Sequence, residues 1–330
     1  MNKKTVLLFS SVIVIITSVF LLIGNALEKP INERAKGIGD VFTISSTNQM
    51  AYVVYEQGKP VLYVANEKGQ NAKKIDTISN KYTIDHLAFS PDNNKIVYSI
   101  LEKEIEDQQA QILEYDFRTN QRTVLFEKAD DISDSYYASD SSSLVFVEYI
   151  REENPDLSTY EIFKYNPRTK DKKPLTSLKS KSFISIQVSK DGKTLYYKLG
   201  GDTNNFDEQP MKQQLYKVSL THPKVVVKIP TPTTEILEFS FSSTGEELIY
   251  NSIVNSDSGD TFEYELLSWN IKTQKEKQLT HYGDYVNQPL FSNDDSKIYF
   301  MHYENRPDKN NPNYLIKLKD VKTNKFFTIK

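Results

Sequence analysis

The chain has 330 residues, no cysteine, one tryptophan, 21 tyrosines and 17 phenylalanines. Without cysteine it can form no disulfide framework and no thiolate metal site, and it has no cysteine nucleophile. Charged residues make up 26% of the chain and the formal net charge is −3. This composition indicates a globular protein and argues against a general nucleic-acid binder, which needs a basic surface.

The N-terminal residues have the pattern of an export signal. Lys3 and Lys4 precede an apolar stretch over residues 6–23, which as a helix would span about 27 Å, close to the hydrocarbon thickness of a bilayer. We expect residues 1–27 to form a signal anchor that stays in the membrane or, alternatively, a signal peptide cleaved near Ala26. Either reading places the rest of the chain outside the cytoplasm, with residues 28–40 as a linker.

A repeat of about 50 residues fills the remainder of the sequence. Each copy has a short apolar strand that ends in serine, a polar turn, and then a second apolar strand. Apolar residues alternate along the first strand, which is typical of a strand with one buried face. The repeated serines are Ser45, Ser90, Ser139, Ser189, Ser242 and Ser292.

Each repeat also ends in a hairpin, in which an Asx residue closes a turn and a threonine starts the returning strand, as in residues 116–119 and 320–323. Four strands in each of six repeats predict an all-β fold, a six-bladed β-propeller with four-stranded blades over residues 41–330. We expect every blade to hold its own four strands, so that the ring closes without a strand exchanged between the termini. The predicted blades are 41–76, 84–127, 132–177, 183–230, 236–281 and 286–329.

Residues 287–295, Asn-Gln-Pro-Leu-Phe-Ser-Asn-Asp-Asp, and residues 87–92, Leu-Ala-Phe-Ser-Pro-Asp, resemble the TolB-type propeller repeat. The resemblance covers residues 41–330 and is specific for the repeat. It implies the propeller fold but does not select a function, because such propellers serve as interaction platforms, as peptidase gates and occasionally as lyases. The sequence before residue 41 is too short for the N-terminal domain of TolB, and a membrane tether is expected in its place.

The first strands of a propeller line its central channel, so equivalent positions form rings. Asp40, Asp85, Asp134 and Asn287 stand five residues before their repeat serines, and His86 follows Asp85. These residues are predicted to meet at one mouth of the channel, where they could bind a cation or a basic peptide end. The alternative is a structural role, in which each aspartate accepts backbone N–H groups at the start of its strand.

Other chemistry has little support in the sequence. The four histidines occupy different places in their repeats, so a histidine metal cage is not expected. There is no Gly-x-Ser-x-Gly elbow and no phosphate-binding glycine loop. We therefore predict no catalytic residue, metal, cofactor or nucleotide. Four longer loops join second to third strands and should lie on one face, either for recognition or as tolerated insertions: 101–109, 151–160, 200–214 and 304–313.

These observations favour a membrane-tethered, extracytoplasmic propeller that binds a protein or peptide partner in the cell envelope and is not an enzyme. The alternatives are an enzyme acting on an envelope polymer, or a small-ligand or cation binder, each using the acidic channel mouth. The aspartates discriminate between them. Hydrogen bonding of Asp40, Asp85 and Asp134 to backbone would argue against the enzyme hypothesis, whereas unpaired convergence on an open pocket with raised pKa values would strengthen it.

Overall fold

Alternating apolar residues build 24 β-strands in the part of the chain that the structure describes. This computed structural model describes residues 36–103, 110–128, 132–182, 184–200, 213–223, 225–255, 262–304 and 314–329. Within those ranges no helix is long and apolar enough to cross a bilayer. The predicted signal segment, residues 1–27, lies outside them.

The strands form six four-stranded antiparallel sheets, each made from consecutive strands. The first three blades contain β1 (Gly37–Ile44), β2 (Met50–Glu56), β3 (Lys59–Ala65) and β4 (Lys73–Thr77); β5 (Tyr82–Phe89), β6 (Lys95–Glu102), β7 (Ala110–Asp116) and β8 (Gln121–Lys128); and β9 (Ile132–Tyr137), β10 (Leu144–Ile150), β11 (Thr159–Asn166) and β12 (Asp171–Pro174). The others contain β13 (Ile184–Val188), β14 (Thr194–Leu199), β15 (Gln214–Ser219) and β16 (Val226–Ile229); β17 (Phe239–Phe241), β18 (Glu247–Ile253), β19 (Tyr264–Asn270) and β20 (Lys275–Gln278); and β21 (Tyr285–Phe291), β22 (Lys297–Tyr303), β23 (Leu315–Asp320) and β24 (Phe326–Thr328). A short 3₁₀ helix, Pro155–Leu157, lies between β10 and β11.

The ring closes by packing between the first and last blades, as the sequence predicts. Strand β1 pairs with β2 and not with the sixth blade, and it begins at Gly37, inside the predicted linker. Apolar residues of both blades, among them Phe42, Met50 and Met301, form one buried cluster at the seam. An ion pair of 2.6 Å between Lys297 Nζ and Glu67 Oε2 also joins the two blades. Burial of apolar surface between blades is thus the main force that closes the ring.

The serine in the turn after the first strand satisfies the backbone of that turn. Ser90 Oγ accepts the N–H of Lys95 at 3.0 Å and donates to Asp92 Oδ1 at 2.6 Å. Ser189, Ser242 and Ser292 likewise accept the N–H of the residue five positions later. The hydroxyl therefore ties the end of one strand to the start of the next, which explains the repeated serine.

The third blade departs from the serine pattern by one residue. The turn hydrogen bonds that begin at Ser90 in the second blade begin at Ala138 in the third, where the N–H of Ala138 donates to Ser143 O. Ala138, and not Ser139 as the sequence suggested, is therefore the equivalent position. Asp140 replaces the missing hydroxyl, because its carboxylate accepts the N–H groups of Ser142 and Ser143.

This register predicts different effects for two serine substitutions. Ser90→Ala should lower the free energy of unfolding by about 1 kcal/mol, because it removes two hydrogen bonds that hold the turn. Ser139→Ala should change it by less than about 0.5 kcal/mol, since the Ser139 side chain is exposed and its backbone N–H still bonds Gly192 O. Urea unfolding followed by the fluorescence of the single tryptophan, Trp269, measures both. Equal losses would contradict the assignment of Ala138.

The serine-bearing turns also bond to one another around the ring. The residue after the repeat serine donates its backbone N–H to the next blade, to the residue three positions after the serine there. These bonds run from Ser46 to Asn93 Oδ1, from Ser243 to Asp295 and from Asn293 to Asn48 Oδ1. In the third blade the donor is Ser139 and the acceptor is Gly192 O, at 2.9 Å. In the second blade that position is Pro91, which has no N–H to give. The turns thus lock neighbouring blades at one end of the channel.

Candidate functional site

The first strands of the six blades surround a central cavity of about 330 Å³. One end, where these strands begin, is lined by Asp85, Asp134 and Glu238, and is called here the carboxylate end. The opposite end, called the serine-turn end, is lined by Lys190 and by the turn residues Ser46, Ser90 and Pro91. The wall between the two ends is mainly apolar and includes Leu87, Phe89, Val188, Phe239 and Leu290.

β-Bulges at the start of the first strands turn polar side chains toward this cavity. Pairing of β5 with β6 skips Asp85, since Ile84 faces Ile100 and His86 faces Ser99. Similar irregularities occur in β1, β9 and β21. Asp134 (φ 48°) and Gln288 (φ 47°) adopt the left-handed conformation at their bulges. A bulge breaks the alternation of the strand and redirects a side chain, so equivalent sequence positions do not share one orientation here.

The channel edge of the first strands also carries backbone N–H groups outside the strand pairing, and side chains from the preceding blade accept them. Asp134 Oδ2 accepts the N–H of Ile186 at 2.9 Å, and Gln187 Oε1 accepts that of Phe241 at 2.7 Å. Glu238 Oε2 accepts the N–H of Gln288, whose own Oε1 accepts the N–H of Phe42 at 3.0 Å. These bonds link blades three to four, four to five, five to six, and six to one. Asp134 therefore accepts a backbone N–H, but from the next blade and not at the start of its own strand as the structural alternative expected.

At the carboxylate end, the surroundings disfavour the ionised form of the carboxyl groups. Burial, followed by the nearby charges of Asp85 and Glu238, raises the pKa of Asp134 to about 7 despite the N–H of Ile186. Burial and the charge of Asp40 raise the pKa of Glu238 to about 7 as well. Both side chains are only half-buried, so channel water still reaches them. Near neutral pH these two carboxyl groups are only partly ionised.

His86 adds an uncharged polar group to the same wall. Its ring packs edge-on against Tyr136 with 4.5 Å between centroids. Burial lowers its pKa to about 4, although a hydrogen bond to the backbone of Ser135 opposes the shift. The Nδ1 atom is buried and has no hydrogen-bond partner among the described residues. The imidazole is therefore neutral at physiological pH and offers no positive charge to balance the carboxylates.

The remaining two predicted site residues lie beside the cavity and are not part of its lining. Asp40 is solvent-exposed by surface area, and only partial desolvation by the surrounding residues raises the pKa of its carboxyl group. Its charge also raises the pKa values of Tyr285 and Tyr314, both already raised chiefly by burial. Asn287 is only 4% exposed, and its Oδ1 has no partner among the described residues. The structure thus brings Asp85, His86 and Asp134 together and sets Asp40 at the rim and Asn287 under the surface.

Sequence reasoning missed Glu238, Gln288 and the two lysines of the channel. Glu238 and Gln288 stand four residues before their serines, as Asp134 stands four before Ala138. The serine pattern does not mark Ala138, so counting back five residues from Ser139 places Asp134 with Asp40 and Asp85. The signal that could have found Glu238 is its place directly after the apolar Leu237, at the same distance from the serine as His86.

Lys198 lies near the carboxylate end but bonds to backbone. Its Nζ donates to Ile236 O at 2.6 Å and to Leu237 O at 3.0 Å. Its charge partly lowers the pKa values of Asp134 and Glu238. Burial in turn lowers the pKa of Lys198 itself. Lys198 therefore offsets only part of the effects that raise the pKa values of Asp134 and Glu238.

Aromatic and apolar side chains surround the carboxylate end. The rings of Tyr303 and Tyr314 stack at 4.5 Å, and Tyr264 packs edge-on against Tyr285 at 4.7 Å. Leu157 is 61% exposed and Phe262 is 53% exposed, both in connections between second and third strands. Those connections lie on the same face as the starts of the first strands. Parts of the predicted recognition loops, residues 104–109, 201–212 and 305–313, lie outside the described residues.

A metal centre is not evident in the described part of the chain, where no group of three or more His, Asp or Glu side chains has suitable geometry. His302 is 4% exposed, with Nε2 at 3.9 Å from Asp284 Oδ2 and Nδ1 at 3.6 Å from Glu304 Oε1. The two carboxylates thus face different nitrogens of the ring, and one ion could not be bound by all three groups.

Six four-stranded antiparallel blades around one cavity define a six-bladed β-propeller, and known structures share this fold. TolB from Acinetobacter baumannii is 18% identical with a TM-score of 0.62, over 85% of this chain and 63% of that chain. The β-propeller domain of the Trilobed protease from Pyrococcus furiosus, described as having an open velcro topology, is 14% identical with a TM-score of 0.53, over 89% and 82%. Oligogalacturonate lyase from Vibrio parahaemolyticus is 12% identical with a TM-score of 0.55, over 83% and 76%.

At these identities the similarity shows the fold alone, and this chain spans less than two thirds of the length of TolB. The family model of the dipeptidyl peptidase IV (DPP IV) N-terminal region matches residues 52–257, more than half of the sequence. The chain therefore belongs to that propeller family, and the predicted TolB-type propeller is confirmed. Comparison with curated proteins gives no significant match.

Proposed function

We propose that this protein is a membrane-tethered, extracytoplasmic binding module that takes a cationic segment of a protein partner at the carboxylate end of its channel. The observation that carries the proposal is the cluster of Asp40, Asp85, Asp134 and Glu238, in which burial, and after it the repulsion between neighbouring acids, raises the pKa values of Asp134 and Glu238 to about 7. Lys198 lies beside them, but its ammonium already donates to two backbone carbonyl groups. A bound lysine or arginine side chain would relieve that repulsion and favour the ionised carboxylates.

The surface around the carboxylate end supports a macromolecular partner. Exposed Leu157 and Phe262, together with half-buried tyrosines, provide the apolar and aromatic contacts that are enriched in protein interfaces. The acids also help to hold the ring, since Asp134 and Glu238 each accept a backbone N–H from the next blade. A general acid or base must be able to change its protonation state during turnover, and these two groups are engaged in the scaffold. This favours binding over catalysis.

Capture from the native membrane tests the proposal. The tagged full chain is crosslinked in its own membrane and co-purified proteins are identified by mass spectrometry, for the wild type and for the Asp85→Asn/Asp134→Asn double variant. We expect a partner that the double variant recovers at least tenfold less. The control is Glu127→Gln, which removes one acid from the exposed outer strand β8 and should leave recovery unchanged. Equal recovery of the partner by the wild type and by the double variant would contradict the proposal.

The predicted location is tested separately. An external protease added to intact cells should degrade a tag at the C-terminus if the propeller lies outside the cytoplasm. Carbonate extraction then distinguishes a retained anchor, which stays in the membrane fraction, from a chain cleaved near Ala26, which is released. A tag that is protected until the cells are lysed would contradict an extracytoplasmic propeller.

A further inference from the structure

Lys190 is a charged group at the serine-turn end of the cavity that the proposed function does not use. It follows Ser189 in the turn after β13 and lines the cavity. Its Nζ reaches past the fifth blade and donates to Phe291 O of the sixth blade at 2.7 Å. Among the described residues no carboxylate lies within 4 Å of this ammonium.

The acids nearest to Lys190 are engaged elsewhere. Asp294 Oδ1 accepts hydrogen bonds from Ser292 and Ser296. Asp295 accepts the N–H and the hydroxyl of Ser243 in the neighbouring blade. They act on Lys190 only through space, and burial lowers its pKa to about 8 in spite of them. Lys190 is half-buried and has no ion pair among the described residues, so an anion brought into the cavity would stabilise its ammonium.

The cavity is therefore polarised along its length. Carboxylates line one end, one ammonium lies at the other, and the wall between them is mainly apolar. Asp134 bonds to the N–H of Ile186, in the middle of β13, whereas Lys190 Nζ bonds to the carbonyl of Phe291, which stands one residue before its repeat serine as Val188 does in β13. The two charged groups are therefore separated along the channel by two to three residues of strand, or roughly 7–10 Å at about 3.3 Å per residue. An extended peptide of two to three residues covers that distance.

From this arrangement we infer that the channel takes the C-terminal tail of its partner, with the terminal carboxylate on Lys190 and a basic side chain two or three residues earlier on Asp85, Asp134 and Glu238. This rests on the proposed function and adds to it the polarity and chemical class of the ligand. A C-terminal tail that entered from the serine-turn end would place its basic side chain near Lys190 and its terminal carboxylate among the acids. Each charged group of the tail would then meet a group of like charge. The apolar wall contacts the residues between the two charges.

Peptide binding to the full chain in detergent tests the inference. The probes are two tetrapeptide libraries in which arginine is followed by three randomised residues and the N-terminus is blocked by fluorescein. One library has a free C-terminal carboxylate and the other has a C-terminal amide. We expect fluorescence polarisation to show at least tenfold tighter binding of the acid than of the amide. Lys190→Met should abolish this preference, and Lys190→Arg should retain most of it. Asp85→Asn/Asp134→Asn should weaken both libraries.

The outcomes separate the two claims. Equal binding of acid and amide, a preference that survives Lys190→Met, or no binding of either library at 1 mM would overturn the inference about the tail. Each of these results is compatible with a partner that is captured through the carboxylate end alone. If capture of the partner from the membrane does not depend on Asp85 and Asp134, the proposed function itself is contradicted, whether or not the peptides bind.

Discussion

Replacing Gly192 by alanine is expected to lower the free energy of unfolding by about 3 kcal/mol. Gly192 has a φ of 69°, in the left-handed region that alanine adopts only with strain. A Cβ at this position would also lie 2.4 Å from the backbone N of Ser139 and 2.6 Å from the carbonyl carbon of Ala138. The third and fourth blades would have to move apart, and the hydrogen bond from Ser139 N–H to Gly192 O would be lost.

Gly283→Ala is the matched control for this prediction. Its φ of 63° is similar, but the nearest atoms to a new Cβ belong to the Glu263 side chain at 3.9 Å. It therefore carries the conformational strain without the clash, and should lose only about 1 kcal/mol. Urea unfolding monitored by the fluorescence of Trp269, which is 8% exposed, measures both variants. Equal destabilisation by the two would show that the blade contact at Gly192 contributes little.

Asp134→Asn is expected to stabilise the protein above neutral pH while it weakens ligand binding. The folded-state pKa of Asp134 is raised to about 7 from 3.8, first by burial. The folded protein thus holds the proton more tightly than the unfolded chain, and stability falls as pH rises through the interval between those two values. Asparagine cannot ionise, yet its side-chain oxygen can still accept the N–H of Ile186. The gain should be near zero at pH 4 and reach about 1–2 kcal/mol at pH 8, because channel water screens part of the effect.

The same reasoning applies to Glu238→Gln, and the opposite sign is expected for Asp294→Asn. Hydrogen bonds from Ser292 and Ser296 hold the pKa of Asp294 below its usual value. That carboxylate therefore stabilises the fold at every pH above its unfolded-state pKa, and its replacement should be destabilising throughout pH 4 to 8. Urea midpoints measured between pH 4 and 8 test all three variants. An Asp134→Asn variant less stable than the wild type at pH 8 would show that the carboxylate charge is needed by the scaffold.

A stabilising substitution in the channel would also bear on function. Acids that reduce stability at neutral pH are retained where a partner uses them, as the trade-off between stability and activity leads one to expect. If Asp134→Asn both stabilises the chain and loses the partner, the repulsion at the carboxylate end belongs to binding. If it stabilises the chain and the partner is still captured, the carboxylate is mainly an acceptor for the next blade.

Much of the architecture could be predicted because it depends on local, repeated chemistry. The serines at five of the six expected positions, such as Ser90 and Ser292, hold their turns through their own hydroxyls. The alternating first strands bury one face whatever their neighbours are. The third blade was misplaced by one residue because Asp140 does there what a serine hydroxyl does elsewhere. Two different side chains can satisfy one turn, and a motif search sees only one of them.

The site was less predictable, because its geometry depends on contacts between blades. The sequence by itself determined the six repeats, the order of strands within each blade, and the presence of acids at the starts of several first strands. Only the tertiary structure decided which of these acids line the cavity, because the bulges in β5, β9 and β21 break the period of two and neighbouring blades supply the hydrogen-bond partners. Glu238 and Lys190 acquire their importance in the same way, because the N–H that Glu238 accepts and the carbonyl to which Lys190 donates lie 50 or more residues away in sequence.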